Sequence, residues 1–155
     1  MVAVPDVFHS PGDWLTVALP RAAEACYRLF CDIPRTPQWL PVLASAVVTE
    51  RDGAGRARMV AFQARLVRAT IGYSCRYSYF PDAHQVAWST PGRAAIVVRG
   101  LAQFQAIAPS ACLMTYALDV RVAGDLPVFA DPTFALHASS AALAQFRDFA
   151  RRALP

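Results

Sequence analysis

The stretch "DIPRTPQWLP", Asp32–Pro41, decides how the first third of this chain is built. It follows the run "AAEACYRLF", whose apolar residues recur every three or four positions, as on one face of a helix. Proline lacks the N–H that a helix interior needs. The three prolines of Asp32–Pro41 therefore predict a turn and one short helical piece after this helix. Trp39 falls in that piece, and its size and apolar character predict that it points inward.

The residues before this stretch predict a strand followed by a helix. "DWLTVAL" alternates weakly and ends at Pro20. Pro20 or Arg21 would open the helix, and Glu24 in its first turn suits the positive end of the helix dipole. The predicted buried face contains Ala23, Cys26, Tyr27, Phe30 and Ile33. We expect residues 1–12 to be poorly ordered.

The residues after it predict six strands. "RDGAG" is a hairpin turn between two strand-like runs, and "FPDAHQ" and "PGR" mark further turns. In "TIGYSCRYSYF", "IVVRGLAQFQAI" and "CLMTYALDVRV" the apolar side chains occupy alternate positions. Such alternation is typical of an antiparallel sheet with one covered face and one face in water.

The last part of the chain predicts a long helix. Asp131 is a good N-cap, Pro132 a good first residue, and the helix can run to Leu154. Its inner stripe would contain Ala135, Ala138, Ala142, Phe146, Phe149 and Ala153. A stripe so rich in alanine lets the helix approach the sheet closely or leaves space beneath it. The order of elements is that of an α+β fold, and we interpret residues 1–155 as a single domain.

Composition excludes several classes of function. All 15 basic residues are arginine, so no lysine is present for a Schiff base or a phosphate-binding loop. The net charge is +4, but the arginines are scattered, so we expect no nucleic acid partner. The four cysteines have no paired spacing and are expected to be reduced and buried. With no signal peptide and no membrane span predicted, we expect a cytoplasmic protein. The sequence does not indicate an oligomeric state.

The sequence carries no recognisable catalytic or cofactor motif. His9, His84 and His137 lack the spacing of metal ligands, so we expect no metal and no cofactor. GxSxG is absent, and the carboxylates fall at turns, at a helix cap or, like Asp119, on the outward phase of a strand. Whether the protein is an enzyme stays open.

Aromatic residues are the strongest indication of a site. Those on the apolar phase of the strands are Tyr73, Tyr77, Trp88, Phe104 and Tyr116. Rings with a few hydroxyl groups suit a flat or hydrophobic ligand, although the same rings could fill a core with their hydroxyls bonded to the backbone. Arg76 and Arg99 are out of phase and expected outside, unless a β-bulge near Gly72 or Gly100 reverses the phase.

The ordered series of these segments resembles one known fold family. "LPRAAEACYRLFCDIPRTPQWLP", "YSCRYSYFPDAHQVAWS", "VRGLAQFQAI", "CLMTYALDV" and the long final helix are similar to the START-type helix-grip (SRPBCC) superfamily, in particular its polyketide cyclase/dehydrase and lipid-transport branch. The resemblance implies a curved antiparallel seven-stranded sheet around the C-terminal helix, with two short helices after the first strand. It also implies an internal cavity with Trp39 at its end, and it adds Phe134 and Ala138 to the candidate ligand-binding residues.

Three functions are compatible with this resemblance. The first is binding of a hydrophobic small molecule, such as a lipid, a quinone or a polyketide-like compound, in the cavity between sheet and helix. The alternative is an aromatic polyketide cyclase/dehydratase acting on a bound poly-β-ketone chain, although cyclases of the family typically carry arginine inside, and here the arginines are expected outside. The third is a protein-interaction module that uses the wet face of the sheet.

Overall fold

A computed structural model describes residues 14–65, 70–122 and 132–155, apart from the side chains of residues 122 and 132–139. The elements are β1 Trp14–Leu19, α1 Ala23–Cys31, α2 Thr36–Trp39, β2 Leu43–Arg51, β3 Ala57–Arg65, β4 Thr70–Phe80, β5 Gln85–Ser89, β6 Ile96–Ala108, β7 Ala111–Val122 and α3 Pro132–Ala153. This order confirms the α+β prediction. Residues 1–12 and the predicted N-cap Asp131 lie outside the described residues.

The seven strands form one curved antiparallel sheet in the order β1-β7-β6-β5-β4-β3-β2. β1 and β2 follow one another in sequence but lie at opposite edges, and α1 and α2 connect them. The sheet, the two short helices after β1 and the long α3 confirm the predicted helix-grip fold.

The proline-rich stretch forms the predicted turn and short helix. A 3-10 turn covers Ile33–Arg35, and α2 follows it directly. In both pieces proline occupies the first helical positions, where its missing N–H costs nothing. Trp39, the last residue of α2, is buried as predicted.

The predicted phases of the strands are confirmed on the inner face. The pairing at Gly72 and Gly100 is continuous, so no bulge reverses the phase there, and Arg76 and Arg99 are exposed. The outer face differs from the prediction, because it is not uniformly in water. Leu101 and Ala117 are buried on it, and they are cross-strand neighbours of each other.

The C-terminal end of α3 is hydrogen-bonded to Arg21, which lies just before α1. The guanidinium of Arg21 donates hydrogen bonds to the backbone oxygens of Leu154, at 3.1 Å, and Arg151, at 3.0 Å. Carbonyls at a helix C-terminus lack partners within the helix, so a cation there is favourable. α1 begins at Ala23 and not at residue 20 or 21 as predicted, because Ala22 has an extended backbone with ψ of 144° and forms the N-cap.

Three residues of the predicted inner stripe of α3 are buried, namely Ala142, Phe146 and Phe149. Ala153 in the last turn is exposed, and the side chains of Ala135 and Ala138 lie outside the described residues. α3 packs mainly against β1 and β7, at one edge of the sheet, and against α2. It therefore covers one side of the inner face more fully than the other.

Four rings pack together beneath the sheet, and we call Phe30, Trp39, Phe104 and Phe146 the aromatic core. The ring centroid of Phe146 lies 5.4 Å from that of Phe30, 5.1 Å from Trp39 and 5.9 Å from Phe104. Edge-to-face and tilted contacts at these distances are favourable for aromatic pairs. The aromatic core fills the space between α1, α2, α3 and β6.

Within the described ranges, no helix combines the length and the apolar character that crossing a membrane requires.

Candidate functional site

A pocket of about 290 Å³ lies between α3, α2 and the inner face of the sheet. It is bounded at one end by the aromatic core and extends toward the end of the sheet where β2 and β6 begin and β3 and β7 finish. The residues that line it are Phe30, Ile33, Thr36, Trp39, Leu40, Pro41, Val42, Leu43, Phe62, Ala64, Tyr73, Cys75, Tyr77, Trp88, Ile96, Val98, Tyr116, Leu118, Val120, Ala141, Ala142 and Gln145.

The pocket has a buried floor and an exposed mouth. Phe30, Ile33 and Trp39 close the floor and are almost fully buried. Pro41 and Ala141 also line the pocket but are exposed, and they belong to different elements. A ligand would therefore enter between the segment after α2 and the middle of α3.

Two structural features keep the pocket open. First, the described part of α3 packs mainly against β1 and β7 and much less against the inner faces of β3, β4 and β5. Second, several side chains that point into the gap are too small to fill it, notably Ala64, Cys75 and Ala142. The alanine stripe of α3 thus leaves space beneath the helix, one of the two arrangements that the sequence allowed.

A glycine determines where the Trp88 ring lies. Gly100 is the cross-strand neighbour of Trp88, and a methyl group built on Gly100 would overlap the indole atoms Cε2 and Cζ2. The indole therefore lies directly against the β6 backbone, and only glycine permits so close an approach. Trp88 forms part of the pocket wall in this position.

The wall of the pocket on β3, β4 and β5 is built from stacked rings. Tyr77 and Trp88 lie 5.8 Å apart with an angle of 18° between their planes. Phe62 and Tyr73 lie 5.3 Å apart at 27°. Near-parallel rings of this kind present flat apolar surfaces, against which a planar ligand can stack.

Three tyrosine hydroxyls at the pocket have no hydrogen-bond partner among the described residues: those of Tyr73, Tyr77 and Tyr116. Tyr79 behaves differently, since its hydroxyl donates to the backbone oxygen of Ala57 at 2.5 Å. Burial raises the pKa of Tyr73, Tyr77 and Tyr116 above the ordinary value, because the phenolate would lose its hydration. The three pocket hydroxyls are therefore neutral at physiological pH.

The described part of the pocket lining contains no charged side chain. Arg76 and Arg99 point to the opposite face of the sheet, and Asp119 pairs with Arg121 on that face. Burial raises the pKa of the Cys75 thiol to about 12, so it is not a reactive thiolate. The lining residues that the structure describes offer hydroxyl, amide and indole groups but no charged group that could hold an ion.

Within the described ranges, no three His, Cys, Asp or Glu side chains lie close enough together to bind a metal ion. His84 occupies a left-handed turn with φ of 47°, and its ring packs against Tyr27 at 5.6 Å. His9 and the side chain of His137 lie outside the described residues.

Five of the eight residues predicted to bind a ligand line the pocket: Trp39, Tyr73, Tyr77, Trp88 and Tyr116. Phe104 does not line it but lies in the aromatic core, where it is 1% exposed. The side chains of Phe134 and Ala138 fall outside the described residues. That any of these residues contacts a ligand stays a prediction.

The sequence reasoning missed several lining residues. Phe62 and Ala64 stand on the apolar phase of β3, in the run "RARMVAFQARLV", and that alternation could have identified them. Gln145 lies on α3 one position from Phe146, so only the packing of α3 reveals that it reaches the pocket.

Comparison with solved structures shows the same fold in proteins of very different sequence. A START superfamily protein from Mycobacterium smegmatis is similar with a TM-score of 0.75 at 19% identity, over 92% of this chain and 97% of that one. The Zhui aromatase/cyclase from Streptomyces sp. R1128 gives 0.71 at 15%, over 92% and 94%. A major latex-like protein from Panax ginseng gives 0.67 at 11%, over 92% and 96%.

No protein-family model and no curated protein matches the chain in sequence. At these identities the structural matches show that the chain shares the helix-grip fold of these proteins.

Proposed function

We propose that this protein binds a hydrophobic small molecule, such as a lipid, a quinone or a polyketide-like compound, in the pocket beneath α3. The observation that carries the proposal is the pocket of about 290 Å³, whose lining is mostly aromatic and aliphatic. That volume is just below the ~300–1,000 Å³ usual for small-molecule sites. Transfer of an apolar ligand from water into such surroundings is favourable.

The energetics of such binding are adequate without any catalytic group. A ligand that buries ~300 Å² of apolar surface gains about 7 kcal/mol before the costs of ordering, at ~25 cal/mol per Å². This gross gain corresponds to a dissociation constant of about 10 μM at the tightest, and the costs of ordering weaken it. The stacked pairs Tyr77–Trp88 and Phe62–Tyr73 would add to it for a ligand with a flat ring system.

A second candidate is an aromatic polyketide cyclase/dehydratase, favoured by the three unpaired tyrosine hydroxyls and by the fold shared with an aromatase/cyclase. The chemistry of these hydroxyls favours binding over catalysis. A general acid or base works best with a pKa near the operating pH, whereas burial raises the pKa of Tyr73, Tyr77 and Tyr116. Their role would be to orient a chain more than to transfer its protons.

The experiment that tests the proposal combines extraction with a blocked pocket. Organic extraction of the purified protein followed by mass spectrometry should recover a bound apolar compound, and the neutral dye Nile red should compete for the same site. Ala141→Phe, which places a ring at the mouth, should weaken dye binding at least about tenfold. Ala144→Phe is the matched control, since Ala144 is exposed on the same helix and does not line the pocket.

The outcome that would contradict the proposal is a protein that extracts empty and binds the dye equally well with and without Ala141→Phe. Conversion of a poly-β-ketone chain by the purified protein, abolished in Tyr73→Phe, Tyr77→Phe or Tyr116→Phe, would instead establish the cyclase.

A further inference from the structure

The polar groups of the pocket differ from what a carboxylate or phosphate head group would need. Among the lining residues that the structure describes, none is Arg, Lys or His, and none is Asp or Glu. An ion moved into such surroundings loses its hydration without gaining a counter-ion, which costs several kcal/mol. None of the arginines that adjoin lining residues in sequence lines the pocket itself. Those on strands occupy the opposite face of the sheet and are exposed, namely Arg65, Arg76, Arg99 and Arg121. Arg35, next to α2, lies over the Phe149 ring.

The pocket instead offers neutral hydrogen-bonding groups whose capacity is unused. The hydroxyls of Tyr73, Tyr77 and Tyr116 and the indole N–H of Trp88 form no hydrogen bond to the described protein atoms. An indole N–H can only donate, and a tyrosine hydroxyl donates one hydrogen bond. Buried groups of this type are normally satisfied, so a ligand in the pocket can supply the partner that the described residues do not.

These groups are concentrated on one wall. Tyr77 is the cross-strand neighbour of Trp88, and Trp88 is the neighbour of Gly100 on β6. Tyr116 on β7 lies 5.9 Å from Trp88 between ring centroids. The hydrogen-bond donors therefore lie on the same wall as the stacked rings. Oxygen atoms at the edge of a ligand that lies flat on this wall would accept hydrogen bonds from them.

We infer that the pocket selects neutral, planar ligands that carry carbonyl or hydroxyl oxygen, and that it rejects ligands whose acidic group would enter the pocket. The inference rests on the proposed function and narrows it. It favours polycyclic ketones, phenols or quinones over free fatty acids among the compounds considered above. Selection comes from two independent properties: the unpaired donors attract oxygen, and the absence of a cation in the described lining disfavours an anion.

The test uses three probes with the same ring system, namely 9-fluorenone, fluorene and fluorene-9-carboxylate, measured by calorimetry at neutral pH. A neutral hydrogen bond is worth about fivefold in affinity, so fluorenone should bind at least about fivefold more tightly than fluorene. The carboxylate should bind at least about thirtyfold more weakly than fluorenone. Removing the three hydroxyls in Tyr73→Phe/Tyr77→Phe/Tyr116→Phe should lower the affinity for fluorenone to that for fluorene and leave fluorene within about twofold.

The outcomes separate this inference from the proposed function. If fluorene and fluorenone bind equally and the triple variant changes neither, or if the carboxylate binds as tightly as the ketone, the inference is overturned and the binding function stands. If none of the probes binds to the native protein, the binding function itself fails. Should the triple variant not fold, as judged by its melting curve, the three single Tyr→Phe variants make the same comparison, each with a smaller expected loss.

Discussion

The space beneath the sheet has two ends, one packed and one open, although both are lined by the same inner faces. At the packed end, the aromatic core of Phe30, Trp39, Phe104 and Phe146 leaves these side chains at most 4% exposed. At the open end, Ala64, Cys75, Ala141 and Ala142 leave a pocket of about 290 Å³. The difference lies in side-chain size and in the position of α3, which covers β1 and β7 more than β3 to β5. Apolar composition alone does not determine whether a region is core or site.

The largest expected difference between the ends is in their response to alkaline pH. The open end holds Tyr73, Tyr77, Tyr116 and Cys75, all with pKa values raised by burial. A raised folded-state pKa means that the unfolded chain loses its proton first, so stability is complete below the unfolded values, about 9 to 10, and falls as pH rises. Each group contributes up to about 1.4 kcal/mol per pH unit in that range.

We therefore expect the free energy of unfolding to be level near neutral pH and to fall by several kcal/mol by about pH 11, measured by urea unfolding. The triple Tyr→Phe variant should remove three of the five tyrosine contributions to this slope, since burial also raises the pKa of Tyr27 and Tyr79. An unchanged slope in that variant would place the alkaline sensitivity elsewhere in the molecule.

The next largest expected effect is the loss of stability when an aromatic side chain is truncated at either end. Phe146→Ala should lower the free energy of unfolding by about 3–5 kcal/mol, because the ring is fully buried among the other three rings and would leave a cavity. Phe62→Ala, at the wall of the pocket, should cost less, since one side of that ring already faces empty space. Equal losses in urea unfolding would mean that the pocket wall is packed as tightly as the aromatic core.

A single methyl group tests the contact that shapes the pocket wall. Gly100→Ala should push the Trp88 indole off the β6 backbone, cost about 1–3 kcal/mol of stability and weaken binding of a neutral dye roughly tenfold. Gly53→Ala is the control, since a methyl group there meets no atom within 4 Å. If Gly100→Ala behaves like Gly53→Ala in both assays, the indole has room that the structure does not indicate.

The smallest expected effect is that of enlarging an alanine, which should change the free energy of unfolding in opposite directions at the two ends. Ala64→Val adds methyl groups where there is space, so it should raise the free energy of unfolding by roughly 0.5–1 kcal/mol while weakening ligand binding severalfold. Ala102→Val, on the inner face of β6 and fully buried, should lower it by about 1–3 kcal/mol. Two variants that shift the urea midpoint in the same direction would contradict the division into a packed and an open end.

Much of the fold follows from local sequence patterns. The period-two alternation of β4, β6 and β7 correctly assigned the inner and outer faces, and the prolines of Asp32–Pro41 correctly broke the helix. Both signals are local, because a strand alternates and a proline lacks its N–H wherever they occur. The start of α1 was placed two or three residues too early, since the extended backbone of the N-cap Ala22 has no signature in the local sequence.

The site was predicted only in part, because periodicity gives the face of a strand and not the depth along it. Phe104 and Trp88 both stand on the inner face, yet Phe104 lies in the aromatic core and Trp88 at the pocket. The approach of Trp88 to Gly100 depends on a pairing between strands and could not be read from either strand alone. Burial of Leu101 and Ala117 on the outer face was missed for the same reason.

The order of the strands has a consequence for how the chain reaches its native state. Among the described strands, β1 lies at the edge of the sheet and pairs with β7, with Trp14 opposite Ala117. During synthesis, β2 to β6 can pair successively as hairpins, whereas β1 has to wait for the last strand to leave the ribosome. Pairings so distant in sequence slow folding, because the entropy of closing a long loop is lost before the contact forms. Docking of β1 is thus expected to be a late step, and until then its apolar side chains need protection from other chains.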